Sequence, residues 1–133
     1  MQILGNGVDI IENYRIEKLI QKESFLNRIY TKKEILNSKR TKNKTNYFAK
    51  RYAAKEALVK ALGVGFRNNI NFNDIEVINN IRGKPFIKLS KKIRNFLKYK
   101  SNLKKYKIHL SLSDEKKYSI AYVIIDSNKW KIL

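Results

Sequence analysis

The segment Tyr52-Ala-Ala-Lys-Glu-Ala-Leu-Val-Lys60 constrains this chain more than any other. It reads as a helix that is apolar almost all round, so it belongs inside a fold. Yet Glu56 and Lys60 stand four residues apart, on the same side of a 3.6-residue turn. Desolvating charges is costly unless they meet a partner or a metal. An exposed i,i+4 ion pair is the simplest account of the two, worth only a few tenths of a kcal/mol. Tyr52 and Ala53 flank the pair on the helical projection, where a solvated face would carry more polar neighbours. At roughly 100° per residue, Glu56 and Lys60 fall about 40° apart, and Arg51 and Lys55 cluster on the other side.

The rest of the chain must supply that helix with a core. Its 133 residues suit a single domain, 1–133, and 43% hydrophobic content favours folding. No apolar run approaches 18 residues, so no membrane span is expected. The first nine residues lack the basic and apolar regions of a signal peptide. There is no cysteine, which excludes disulfides and thiolate metal sites and suits a cytoplasmic location. Thirty Lys and Arg against eleven acidic residues give a formal net charge of +19. Part of this is compositional, alongside abundant Ile and Asn. The remainder suits an anionic partner: nucleic acid, a phosphorylated ligand, an acidic protein or an anionic membrane.

Residues 3–11 read as a short apolar strand on which Gly5, Gly7 and Asp9 share one face. Two missing side chains before a carboxylate leave room for something to approach. Asn13 is a candidate N-cap for a helix over 13–22 with Ile16, Leu19 and Ile20 on its apolar stripe. Thr31 and Glu34 match a capping box. Residues 37–46 are polar and basic and read as a loop. A long helix follows over 47–62, with Gly63 placed to end it. Ile75–Ile78 and Phe86–Leu89 read as a hairpin around Gly83-Lys84-Pro85. Ser90 caps a helix carrying Ile93, Phe96 and Leu97. Lys107–Ser113 and Tyr118–Asp126 are two further strands, the second apolar enough to be central. The tail from about 127 is unassigned. The pattern is α+β with a mainly antiparallel sheet packed with helices.

Several residues could carry chemistry. Asp9 alone is a strand-end carboxylate. Paired with Glu56 it supplies two carboxylates from different elements, which with water and phosphate oxygens suit Mg²⁺. One histidine and no cysteine argue against zinc. His109 shares a strand face with Ser111 and Ser113, either structurally or toward a phosphate. Gly83-Lys84-Pro85 is either a turn or a backbone approach to a ligand.

Taken in order, four motifs resemble the holo-[acyl-carrier-protein] synthases of the 4′-phosphopantetheinyl transferase superfamily. They are Gly7-Val-Asp-Ile10; Arg51-Tyr-Ala-Ala-Lys-Glu-Ala-Leu-Val-Lys-Ala-Leu-Gly63; Ile75-Glu-Val with Gly83-Lys-Pro85; and His109-Leu-Ser-Leu-Ser-Asp114. The resemblance runs from Ile3 to about Asp126. Tyr52 stands where Phe or Trp is commoner, and Asp114 where some members carry His. The loop 37–46 and the tail match poorly.

The resemblance implies transfer of 4′-phosphopantetheine from coenzyme A to a serine of apo-acyl carrier protein, in support of fatty-acid biosynthesis. It implies that Asp9 and Glu56 hold Mg²⁺ against the pyrophosphate, with Lys60 on the same phosphates. Asp9, Glu56 and Lys60 are then the catalytic set. Asp9 or Glu56, through a metal-bound water, would take the serine proton. Arg51 and His109 would meet the 3′-phosphate, with Gly83, Lys84 and Pro85 near the nucleotide. Arg15 and Arg28 would dock the acidic carrier protein. A chain this short matches the branch that forms homotrimers with active sites between subunits. No nucleic acid or membrane partner is expected on this reading. The rival is a basic RNA-binding or ribosome-associated module without catalysis, which suits the charge and the 11% aromatic content but leaves Asp9 and Glu56 without a role.

Overall fold

The computed structural model describes residues 2–66, 69–99 and 105–127. Strand β1 (Gln2–Glu12) leads into three short helices, α1 (Asn13–Leu19), α2 (Glu23–Ile29) and α3 (Lys32–Ser38), and the long α4 (Lys44–Leu62). A single 3₁₀ turn (Phe72–Asp74) precedes the hairpin β2 (Ile75–Asn79) and β3 (Pro85–Leu89). Helix α5 (Lys91–Tyr99) and strands β4 (Tyr106–Asp114) and β5 (Tyr118–Ser127) complete the fold. The sheet is split: one is three-stranded in the order β1-β5-β4, and β2-β3 stands apart. All pairings are antiparallel.

The nearly continuous apolar β5 is central, flanked by β1 and β4. Period-2 alternation gives the sheet two faces. Gly7, Asp9 and Ile11 pair with Val123, Ala121 and Ser119, which in turn pair with Leu110, Leu112 and Asp114. Helix α4 covers this inner face. A Cβ at Gly5 would lie 2.0 Å from the Ala61 carbonyl oxygen, and one at Gly7 2.0 Å from that of Ala57. The space left by the two glycines is therefore filled by the helix backbone itself. Ala53, Ala57, Ala121 and Val123 are fully buried along this contact.

Local signals act where the sequence puts them. Thr31 and Glu34 form a complete capping box at α3. Asn43 caps α4 by accepting from Asn46 N at 3.1 Å, so the helix starts at Lys44 and the basic loop shrinks to 39–43. Gly63 closes α4 in the left-handed region at φ 72°. Ser90 Oγ accepts from Ile93 N at 3.3 Å, and Ile93 and Leu97 bury the apolar stripe of α5.

Asn13 does not cap α1. It is that helix's first residue, and its side chain donates to the carbonyls of Glu115 and Lys116 and accepts from Ser119 Oγ at 2.6 Å. Two bonds to the β4–β5 turn and one from β5 outcompete one local cap. The predicted helix over 13–22 ends at Leu19, and 23–29 forms a separate helix. The tail beyond Ser127 lies outside the described residues.

Candidate active site

Tyr52, Glu56 and Lys60 occupy successive turns of α4 and make one stripe facing the end of β1. Lys60 Nζ donates to Asp9 Oδ1 at 3.1 Å and to the Val8 carbonyl at 3.0 Å. The ion pair of Lys60 is thus with Asp9 across the strand–helix contact, and not with Glu56 along the helix. Burial pushes the Glu56 carboxyl above its ordinary value, and the Asp9 charge adds to the rise; Lys60 and the Tyr52 hydroxyl pull it back. The Tyr52 hydroxyl is itself pushed up, first by burial and then by Glu56, with Arg15 close enough to oppose the rise. Asp9, Arg15, Tyr52, Glu56 and Lys60 therefore form one electrostatic group.

Two neighbouring carboxylates with one ammonium between them can accept a further cation. Among the described residues no group of three or more potential metal-ligating side chains forms. A hard divalent cation on Asp9 and Glu56 would take its other ligands from water and phosphate, as Mg²⁺ does. The donor set fits that ion.

A second group lies elsewhere. Arg51 is 5% exposed, stacks its guanidinium 3.7 Å over the Tyr47 ring, and donates to the Tyr47 carbonyl and to Asn79 Oδ1. Its Nε is buried without a partner, and burial lowers its pKa. Asn79 ends β2, so Arg51 faces the hairpin that carries Gly83, Lys84 and Pro85. Gly83 turns the hairpin at φ 83°. His109 sits on β4 opposite Ile124, with its Nε2 2.5 Å from Asp126 Oδ2.

A family model described as the 4′-phosphopantetheinyl transferase superfamily matches residues 5–123. The chain belongs to that superfamily. It is 49% identical to the holo-[acyl-carrier-protein] synthase of Pelagibacter ubique over 94% of this chain and 98% of that protein. The crystal structure of the Neisseria meningitidis holo-[acyl-carrier-protein] synthase superposes with a TM-score of 0.85 at 33% identity, covering 95% of this chain and all of that one. The Bacillus anthracis synthase in complex with CoA (3′,5′-ADP) superposes at 0.79 with 38% identity, over 96% and 100% of the two chains. Membership in this transferase superfamily displaces the RNA-binding alternative. Among the described residues no helix is long and apolar enough to cross a membrane.

Against this superfamily fold, the expected site residues divide into two sets. Asp9, Glu56 and Lys60 come together, with Arg15 beside them. Arg51, the 83–85 turn and His109 do not join them. Asp9 lies on the inner sheet face under α4, whereas His109 shares the outer face with Val8, Tyr122 and Ile124. Arg28 is exposed on α2. Asp114, where some superfamily members carry His, accepts from Asn46 Nδ2 at 2.7 Å and pairs with Lys50 at 3.3 Å, a structural use.

Two contributors were not legible beforehand. Tyr52 enters the sequence only as a neighbour of the pair on the helical projection and as the aromatic of the second motif, yet its hydroxyl lowers the Glu56 pKa. Lys55, placed with Arg51 on the far side of the helix, is fully buried against Glu34. The capping box announced Glu34 but not this second use of its carboxylate.

Proposed function

We propose that the protein transfers 4′-phosphopantetheine from coenzyme A to a serine of apo-acyl carrier protein, using Mg²⁺ and leaving adenosine 3′,5′-bisphosphate. The observation that carries the reading is the Asp9–Glu56 pair beside Lys60, on the first two of the four motifs that carry the resemblance. Bound there, the ion would supply Lewis-acid polarisation of the pyrophosphate. Phosphoryl transfer depends chiefly on positioning and charge neutralisation, and the side chains divide that work. Asp9 and Glu56 hold the ion. Lys60, more than half exposed, directs its ammonium at the phosphate oxygens and offsets charge on the departing bisphosphate. Glu56, whose carboxyl burial pushes above its ordinary pKa, accepts the serine proton through an intervening water. The serine oxygen bonds to the phosphorus bearing the pantetheine arm as the bond to the adenosine-side phosphate breaks.

The second set suits the nucleotide. A buried guanidinium with an unpartnered Nε fits an anion such as the 3′-phosphate. His109 serves the same phosphate, and the 83–85 turn lies along the nucleotide. Since Asp9 and His109 occupy opposite sheet faces, one site needs both sets only if two copies meet. The outer face bears exposed Val8, Ile10, Tyr118, Ile120 and Tyr122 on adjacent strands, an apolar surface that suits a second copy. A homotrimer with sites between subunits is the assembly we propose. Arg15 and Arg28 face the acidic carrier protein. The product supports fatty-acid biosynthesis in the cytoplasm.

The test is direct. Incubation with coenzyme A, Mg²⁺ and apo-acyl carrier protein should add one phosphopantetheine mass to the carrier. An unmodified carrier, under conditions where an authentic synthase modifies it, removes the reading.

A further inference from the structure

The hydroxyl of Tyr52 is this chain's own addition to the second motif, and the ring that carries it is held firmly. Tyr52 stacks with Phe25 of α2 at 6.4 Å and 26°, and with Phe72 of the 3₁₀ turn at 5.3 Å and 22°. Phe72 stacks in turn with Phe66 at 3.8 Å. Stacking of this kind fixes the plane of a ring as well as burying it. Tyr52 and Glu56 stand four residues apart on α4, so their side chains are neighbours on one helix face. The hydroxyl donates a hydrogen bond to the Glu56 carboxylate. The hydroxyls of Tyr30 and Tyr47 donate instead to backbone carbonyls, those of Phe48 at 2.8 Å and Glu34 at 2.6 Å. Of these three tyrosines, Tyr52 alone directs its proton at a carboxylate of the candidate site.

Glu56 needs such a holder. Lys60, its helical neighbour, has turned to Asp9 at 3.1 Å and to the Val8 carbonyl at 3.0 Å. Asp9 and Lys60 therefore act on Glu56 through charge, which does not set the rotation of the carboxylate. A hydrogen bond does, because it is directional. We infer that Tyr52 is a positioning residue for the divalent ion, its hydroxyl holding the Glu56 carboxylate in place beside Asp9. The inference rests on the Mg²⁺ reading above. One hydroxyl bonds one carboxylate oxygen and leaves the other for the ion. Carboxylates that ligate metals are themselves hydrogen-bonded, and losing such a partner typically lowers metal affinity by about 10–100-fold. Tyr52 acts on the ion only through Glu56, and its grip on that carboxylate is as firm as the aromatic stack behind it.

Tyr52→Phe keeps the stacked ring and removes the hydroxyl alone. The full-length wild type and variant are melted in chelator and then against rising Mg²⁺, with no coenzyme A present. An ion that binds only the folded chain raises the melting temperature. The variant should melt with wild type in chelator and need about tenfold more Mg²⁺ for the same rise, the low end for a carboxylate that loses its support. The Mg²⁺ concentration for half-maximal transfer should shift by the same factor, while the KM for coenzyme A at saturating Mg²⁺ stays unchanged. Equal Mg²⁺ requirements in the two proteins overturn the assignment. So does a lower melting temperature in chelator with the Mg²⁺ requirement unshifted, which is the mark of a purely structural hydroxyl. A wild type that Mg²⁺ does not stabilise overturns the metal reading and this inference with it. A wild type that Mg²⁺ stabilises but that modifies no carrier overturns the transfer reading instead.

Discussion

Lys55 Nζ lies 2.6 Å from Glu34 Oε1, with both side chains fully buried. The ammonium also donates to the Ile29 carbonyl at 2.7 Å, and Glu34 accepts from Thr31 N and Val77 N, each at 2.8 Å. One ion pair thereby joins the end of α2, the start of α3, strand β2 and the long helix. Lys55 precedes Glu56, so the pair that fixes the roll of α4 also aims the carboxylate at Asp9. Burial pulls the Lys55 pKa down, against the attraction of Glu34.

Removing one partner should leave the other buried and uncompensated. Lys55→Met is expected to cost about 3–5 kcal/mol in urea unfolding. Adding Glu34→Gln removes the stranded charge, so the double variant should be less destabilised than the sum of the two single changes. Additive losses would show that the pair is not coupled.

Glu56 should reveal itself through pH. Its folded pKa lies above the unfolded value, so its favourable contribution is complete below the unfolded pKa and is lost as pH rises through the folded one. Glu56→Gln abolishes that loss. In the absence of divalent metal, the variant's melting temperature relative to wild type should therefore rise between pH 4 and pH 7. Transfer activity should fall more than about 10²-fold, the scale of a lost electrostatic contact to the transition state. Mg²⁺ should raise the wild-type melting temperature and leave that of the variant nearly unchanged.

The two glycines at the ends of α4's story predict opposite outcomes. Gly7→Ala drives a methyl into the Ala57 carbonyl, a backbone atom that cannot step aside, and should cost at least about 2–3 kcal/mol. Gly63→Ala meets no atom within 4 Å and suffers only its left-handed φ of 72°, about 1 kcal/mol. Thermal unfolding of the two variants side by side measures the contrast.

Charge reversal at Arg15 addresses the carrier. Arg15→Glu should raise the KM for apo-acyl carrier protein about tenfold at low ionic strength, and the difference should shrink as salt screens it. A KM equal to wild type would remove Arg15 from the docking surface.

The outer sheet face tests the assembly. Tyr122→Asp puts a charge at the centre of the exposed apolar strands, opposite Val8 and Ser111. Sedimentation equilibrium should show a trimer for wild type and smaller species for the variant, with transfer activity lost alongside. An active wild-type monomer rules out sites shared between subunits.

Much of this protein was written in local order. The Thr31–Glu34 box, Gly63 as a stop, the 75–89 hairpin and the central β5 follow from caps, turn residues and apolar patterning, and each depends on neighbours in sequence. The order of the four motifs likewise carried the superfamily. Asn13, Lys55 and Lys60 escaped that logic because their partners lie far along the chain. Asn13 bonds a turn more than a hundred residues away, Lys55 finds Glu34, and Lys60 leaves Glu56 for Asp9. Helical spacing says which charges can meet along one helix, but a strand packed on the helix backbone at Gly5 and Gly7, where no Cβ would fit, brings in a competing carboxylate that no spacing rule contains. The sequence by itself determined the elements and the residue types available for chemistry. Tertiary packing decided the pairings, because the free energy of a buried charge depends on whatever fold-distant group arrives to meet it.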